Sequence, residues 1–149
     1  MLDEKVKLEL YKPELQDISF DEIKEFIRSI TLMRSKYTDE LHLKEISIYE
    51  ELAESLFDLR LSKVIEGQTI KGFDSIFFEI IIKIRKFYIN LLTGKYNIYN
   101  EKILCRVEKA ITIDNFTLNP GDIIITNIEN ALKLTMAGFI NPIETNITK

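Results

Sequence analysis

The apolar positions of this chain change their period near Lys95. Before it they recur at three- and four-residue spacing, with few turn residues between. After it they come as short β-branched runs with a Pro-Gly turn and one short helical stretch. The first pattern belongs to amphipathic helices and the second to half-buried strands. The predicted fold is α+β: an N-terminal helical bundle over residues 1–94, a linker over 95–101, and a small β-rich domain over 102–149.

Within the helical part, Val6, Leu8 and Leu10 alternate with Lys5, Lys7 and Glu9, which predicts a short strand stopped by Pro13. Ser19-Phe20-Asp21-Glu22 is a capping box, a Ser followed three residues later by Glu. The helix it opens presents Ile23, Phe26, Ile27, Ile30 and Met33 on one face and ends near Lys36. Residues 37–44 read as a connection. A second helix spans about Glu45 to Glu66, with Tyr49, Leu52, Ala53, Leu56 and Val64 as its stripe and Gly67 past its end.

The third helix, Phe73 to Leu92, is apolar around most of its circumference. Its polar remainder is one narrow stripe of Ser75, Glu79, Lys83, Lys86 and Asn90. A helix on one small core needs an apolar arc of only about 100°. The excess predicts a helix both central in its bundle and shared with a second subunit.

In the last third, Ile103 to Val107 reads as a strand, Ile111 and Ile113 as a second, and Phe116 to Leu118 as its continuation or a third. Asn119-Pro120-Gly121-Asp122 predicts a type II turn, with Ile123 to Ile125 as the returning strand. Asn127 caps a short helix over Ile128 to Ala137, with Ile128, Ala131, Leu132 and Met136 inward. Phe139 and Ile140 open a last strand that stops at Pro142, and the tail from Glu144 reads as frayed.

Charge narrows the function classes. The net charge is −4. Residues 102–149 hold five basic and five acidic side chains, so the whole deficit lies in residues 1–101. An acidic helical module suits a phosphate backbone poorly, which leaves DNA contact weak or indirect. No apolar stretch is long enough to cross a membrane: the run Ile76 to Ile82 is broken by Glu79 and followed by Lys83. A single cysteine, Cys105, excludes an intrachain disulfide and fits a reducing, cytoplasmic setting.

The catalytic inventory is nearly empty. His42, the one histidine, has no Cys or second His near it to share a metal. Cys105 lies in a predicted strand and reads as a buried small hydrophobe. No phosphate-cradling glycine loop occurs, and pairs such as Asp39/Glu40 lie on solvated stretches. Neither cofactor nor metal is expected. Two basic features remain. Arg60 falls on the apolar face of the second helix, where it needs a partner acid or several carbonyls, and an ion pair with a carboxylate is expected, within the bundle or across a subunit interface. Lys83, Arg85 and Lys86 form a cluster that reads either as a solvated face or as a contact for DNA or an acidic partner.

The segment Leu59-Arg60-Leu61-Ser62-Lys63-Val64 resembles the Leu-Arg-x-x-Lys-Ile helix of GINS subunits, replication factors of archaea and eukaryotes. Cys105 to Val107, Phe116 to Leu118, Gly121-Asp122-Ile123-Ile124, Ala131-Leu132 and Gly138-Phe139-Ile140 resemble, in order, the GINS β module. Helical first and β last is the order of one archaeal subunit type. Members often carry Leu-Pro before the short helix, where this chain has Thr126-Asn127-Ile128.

The resemblance implies a non-enzymatic scaffold of the replisome. It implies a 2:2 heterotetramer with a GINS subunit of reverse domain order, bridging the MCM helicase to a RecJ-like or Cdc45-like protein and stimulating the helicase. Leu56, Arg60, Lys63, Ile76, Ile80, Ile84 and Tyr88 are then expected at the subunit interface. Phe116, Asp122, Asn127 and Phe139 are expected on the partner-facing β module. The alternative is an autonomous nucleic-acid-binding or regulatory module with the β part as reader.

Overall fold

The computed structural model describes residues 1–145. It bears out the α+β class. Four helices come first: α1 (Leu2–Tyr11), α2 (Phe20–Lys36), α3 (Glu40–Ile65) and α4 (Ser75–Leu92). Strands β1 (Ile98–Tyr99), β2 (Lys102–Val107), β3 (Ile111–Ile113), β4 (Phe116–Leu118) and β5 (Ile123–Asn127) follow, then α5 (Ile128–Met136) and β6 (Ile140–Pro142). The chain forms two compact units, Met1–Glu79 and Ile80–Lys149.

In the first unit, the strand expected around Val6 is the helix α1. Leu8 and Leu10 are exposed, and the buried positions are Leu2 and Glu9. The alternation misled because one inward anchor of this helix is a carboxylate, which an apolar pattern does not register. The capping box at Ser19 is present: Glu22 accepts a hydrogen bond from the Ser19 amide. Lys5 also donates to Glu22. That bond and the capping bonds from Ser19 bring its carboxyl to about 2.

The second predicted helix starts five residues before its expected position, at Glu40. Asp39 is its cap, accepting from the His42 amide, so the expected connection is mostly helix. His42 therefore sits in the first turn of α3 and not in a loop. Its Nδ1 lies 2.7 Å from Asp39 Oδ1, and its ring stacks on Tyr37. Leu2, Ile18, Ile23 and Leu56 form the apolar core of this unit, with Phe26, Leu52 and Phe73 against it.

In the second unit, β2 is central to an antiparallel sheet: β5 pairs along one side, β1 and β6 along the other. The expected linker is thus structured. Ile98–Tyr99 is β1, and Tyr96 bridges Glu144. The first compact unit runs to Glu79 and the second begins at Ile80. The Pro-Gly turn has the expected form: Gly121 has φ +93 and the Asp122 amide reaches Asn119 O. The strand it returns, however, pairs with β2 and not with β4. β4 closes instead on β3 through Asp114-Asn115, both at positive φ as a two-residue hairpin turn requires.

Asn127 caps α5 through its Oδ1, 2.7 Å from the Asn130 amide. Of the four residues expected inward, Ala131 is buried, Leu132 and Met136 are half-buried, and Ile128 is exposed. Glu144 and Thr145 are not frayed, since Thr145 N donates to Lys95 O. The remainder of that expected tail lies outside the described residues. The core here is Phe87, Ile103, Cys105, Val107, Ala131 and Ile140.

Candidate functional site

Arg60 is entirely buried, and each of its five N–H groups has an acceptor. Asp74 takes two in a bidentate pair, from Nε at 2.6 Å and Nη2 at 2.7 Å. Nη1 donates to Glu9 Oε2 at 3.0 Å and to Gln16 O at 2.7 Å, and Nη2 donates to Lys71 O at 2.8 Å. Lys63, one helical turn on, donates to Glu9 O and Oε1, each at 2.6 Å, and to Glu14 O at 3.1 Å. Burial disfavours the guanidinium charge, but the bonds and charge of Asp74, with Glu9 behind them, outweigh it and hold the pKa above its ordinary value.

Two cations face two carboxylates, so this buried cluster is formally neutral. It ties α1, the segment after it, α3 and the segment before α4 into one body. Gly72 fits the same cluster closely. A Cβ there, at φ +104, would stand 2.9 Å from Arg60 Nη2 and 3.1 Å from Ile18 O. The Arg60 partner is thus intrachain. Leu56, Arg60 and Lys63 are all buried inside the first unit. No apolar periodicity could have found Glu9 or Asp74. Asp74 follows Gly72-Phe73 just before α4, a position that reads as an ordinary helix start.

The other expected interface residues are exposed. Ile76 is 57% accessible, Ile80 38%, Ile84 40% and Tyr88 61%. Phe77, Ile89 and Leu92 on the same helix are exposed as well. The polar stripe is only partly polar-out, because Asn90 is buried and donates from Nδ2 to the Tyr96 hydroxyl. In the first unit, Ile23, Phe26, Ile27, Leu56, Phe57 and Phe77 are among the residues lining an apolar groove of about 270 Å³.

On the β module, Phe116 is exposed at the β3–β4 hairpin. Asp122 and Asn127 are exposed too, but each already works locally: Asp122 accepts from the Asn119 amide, and Asn127 caps α5. Phe139 is half-buried against the core. These four are not gathered at one point by any bond between them. Cys105 is fully buried, and burial pushes its thiol up to about 11, so it is no nucleophile. Among the described residues no group of three or more metal-ligating side chains converges.

Two family models match the chain. Residues 1–74 match the N-terminal domain of the Gins15 component of the GINS complex, and residues 94–144 match the C-terminal domain of the same component. The chain belongs to the GINS Gins15 family. Both matches follow the order seen here, helices first and the small sheet last. GINS membership assigns the chain to a multisubunit complex of DNA replication. The Leu59–Val64 motif that suggested GINS is the segment that carries Arg60 and Lys63, so its resemblance rests on a structural cluster. The search of curated proteins gave no match. No helix among the described residues is long and apolar enough to cross a membrane.

Proposed function

We propose that this GINS subunit is a non-catalytic scaffold, without a cofactor, that works by assembly. Two copies join two copies of a GINS subunit with the reverse domain order. The helical module, residues 1–94, supplies the contact through Ile76, Ile80, Ile84 and Tyr88, while Leu56, Arg60 and Lys63 hold the helices of the first unit together. The β module, residues 102–149, reaches a RecJ-like or Cdc45-like protein through the neighbourhood of Phe116, Asp122, Asn127 and Phe139. The assembly bridges that protein to the MCM helicase and stimulates it, on the chromosome in the cytoplasm.

The observation that supports this reading most is the run of exposed large apolar side chains along α4. Apolar surface concentrated on one element marks an interaction site. Co-expression with the second subunit and light scattering behind a sizing column tests it. The native pair is expected to give a 2:2 complex. Ile84→Asp is expected to prevent it, because a charge would enter an apolar seam, with the helical content of the single chain unchanged. An Ile84→Asp chain that still enters the full complex excludes α4 as the seam.

A further inference from the structure

The second unit contains a groove of about 700 Å³ that the assembly reading leaves without a role. Phe87, Tyr96, Met136 and Pro142 give it apolar and aromatic surface. Lys83, Lys86 and Arg106 give it three cations, against the carboxylates of Glu108 and Glu144. Glu144 is already paired with Lys95 at 3.5 Å. The chain's other long-range ion pairs among the described residues use Lys5, Arg34, Arg60 and Lys63, so none engages the three groove cations. Thr135 is another lining residue, its hydroxyl oxygen buried and without a hydrogen-bond partner among the described residues.

The Lys83–Lys86 cluster read from the sequence thus becomes one wall of a concave site completed by Arg106 of β2. At about 100° per residue, Lys83, Lys86 and Asn90 fall on one side of Phe87 along α4, and Ile84 and Tyr88 on the other. Ile80 and Ile76 lie close to the line of Phe87, two and three turns before it. None of the four proposed seam residues lines the groove, so a substitution in one can be read apart from the other.

We propose that this groove binds an acidic peptide segment of a partner protein, its carboxylates on Lys83, Lys86 and Arg106 and an apolar side chain against Met136 and Pro142. The volume lies within the range of about 300–1,000 Å³ typical of pockets that enclose a ligand. Carboxylates on Lys and Arg form charge-assisted hydrogen bonds, the stronger kind. The two acids in the lining separate a peptide from a nucleic-acid strand. A strand carries negative charge at every step and would meet Glu108 and Glu144 with repulsion. A peptide can place a neutral or basic residue opposite them.

The test is selection of a random dodecapeptide display library on the full chain, followed by fluorescence anisotropy of the enriched peptide in synthetic form. Sequences combining Asp or Glu with Leu, Ile, Met or Phe are expected. Lys83→Glu and Arg106→Glu are expected to weaken the peptide about tenfold or more, a loss on the scale of one charge-assisted bond. Both positions are exposed, so the fold is expected to persist, which circular dichroism checks. Lys102→Glu makes the same charge change at an exposed position outside the groove and is expected to leave affinity within about twofold. Enrichment of neutral or basic sequences, or no enrichment, overturns the proposal. So does an acidic peptide that binds the Lys83→Glu and Arg106→Glu chains as well as the native one. Binding of a labelled oligothymidylate, abolished by the same two substitutions, also overturns it, in favour of single-stranded nucleic acid.

Discussion

The two units are centred on opposite chemistry. The first has a buried ionic cluster at its heart, with Arg60, Lys63, Glu9 and Asp74 mutually satisfied. The second has an apolar core in which even the one thiol, Cys105, is held neutral by burial. The difference teaches where specificity resides. Apolar side chains of similar volume substitute for one another at modest cost, so an apolar core tolerates change. A buried ion pair contributes little net stability over an apolar replacement, but losing one partner leaves an uncompensated charge. The first unit is therefore expected to be brittle at a few positions, and the second graded across many.

The sharpest break of this contrast is Arg60→Met. It strands the Asp74 carboxylate and leaves Glu9 with Lys63 as its one cation, and urea unfolding is expected to show a loss of about 3–5 kcal/mol in the first unit. A loss below about 1 kcal/mol would remove the ionic cluster from its central place. In the second unit, Ile103→Ala is expected to cost about 2–5 kcal/mol through transfer and cavity effects, read in the same way. Gly72→Ala combines positive φ with a methyl 2.9 Å from the guanidinium, and a loss of about 1–3 kcal/mol is expected. A chain that tolerates alanine there shows that the cluster can shift to make room.

Acid sharpens the comparison further. The Glu22 carboxyl has a folded pKa of about 2 against an ordinary 4.5. Its contribution is present above the ordinary value and fades as pH falls from about 4.5 towards 2. Lys5→Met is expected to flatten the stability of α1 and α2 across that window, followed by hydrogen exchange of their amides. Salt is expected to shrink the effect, because the pair is exposed. An identical pH profile in both chains would contradict this. The smallest effect is expected for Cys105→Val, a near-isosteric apolar exchange with a cost below about 1.5 kcal/mol by thermal unfolding.

The fold class, the capping box at Ser19, α2, α4, the Pro-Gly turn, Asn127 as a cap and the last strand were legible because each is a local signal. Strand partners were not. The returning strand Ile123–Asn127 has the same pattern whether it pairs with β4 or with β2, and only tertiary packing decides. The pattern of α1 reads as a strand because Glu9 faces inward, and the start of α3 escapes the pattern because Asp39 reads as solvated and not as a cap. The apolar excess of α4 was legible and persists as exposed side chains, whereas its Asn90 is buried against Tyr96. The need of Arg60 for a carboxylate was legible from its place on an apolar face. Which carboxylates supply it depends on residues 51 positions before and 14 after. No local pattern carries that.

The central claim, a GINS subunit that acts by assembly, is tested most directly by affinity capture of the tagged chain from its native lysate, with the bound proteins identified by mass spectrometry. The account predicts recovery of a second GINS subunit together with MCM or a RecJ-like protein. Recovery of the chain with DNA and no protein partner would contradict it and put an autonomous nucleic-acid-binding module in its place.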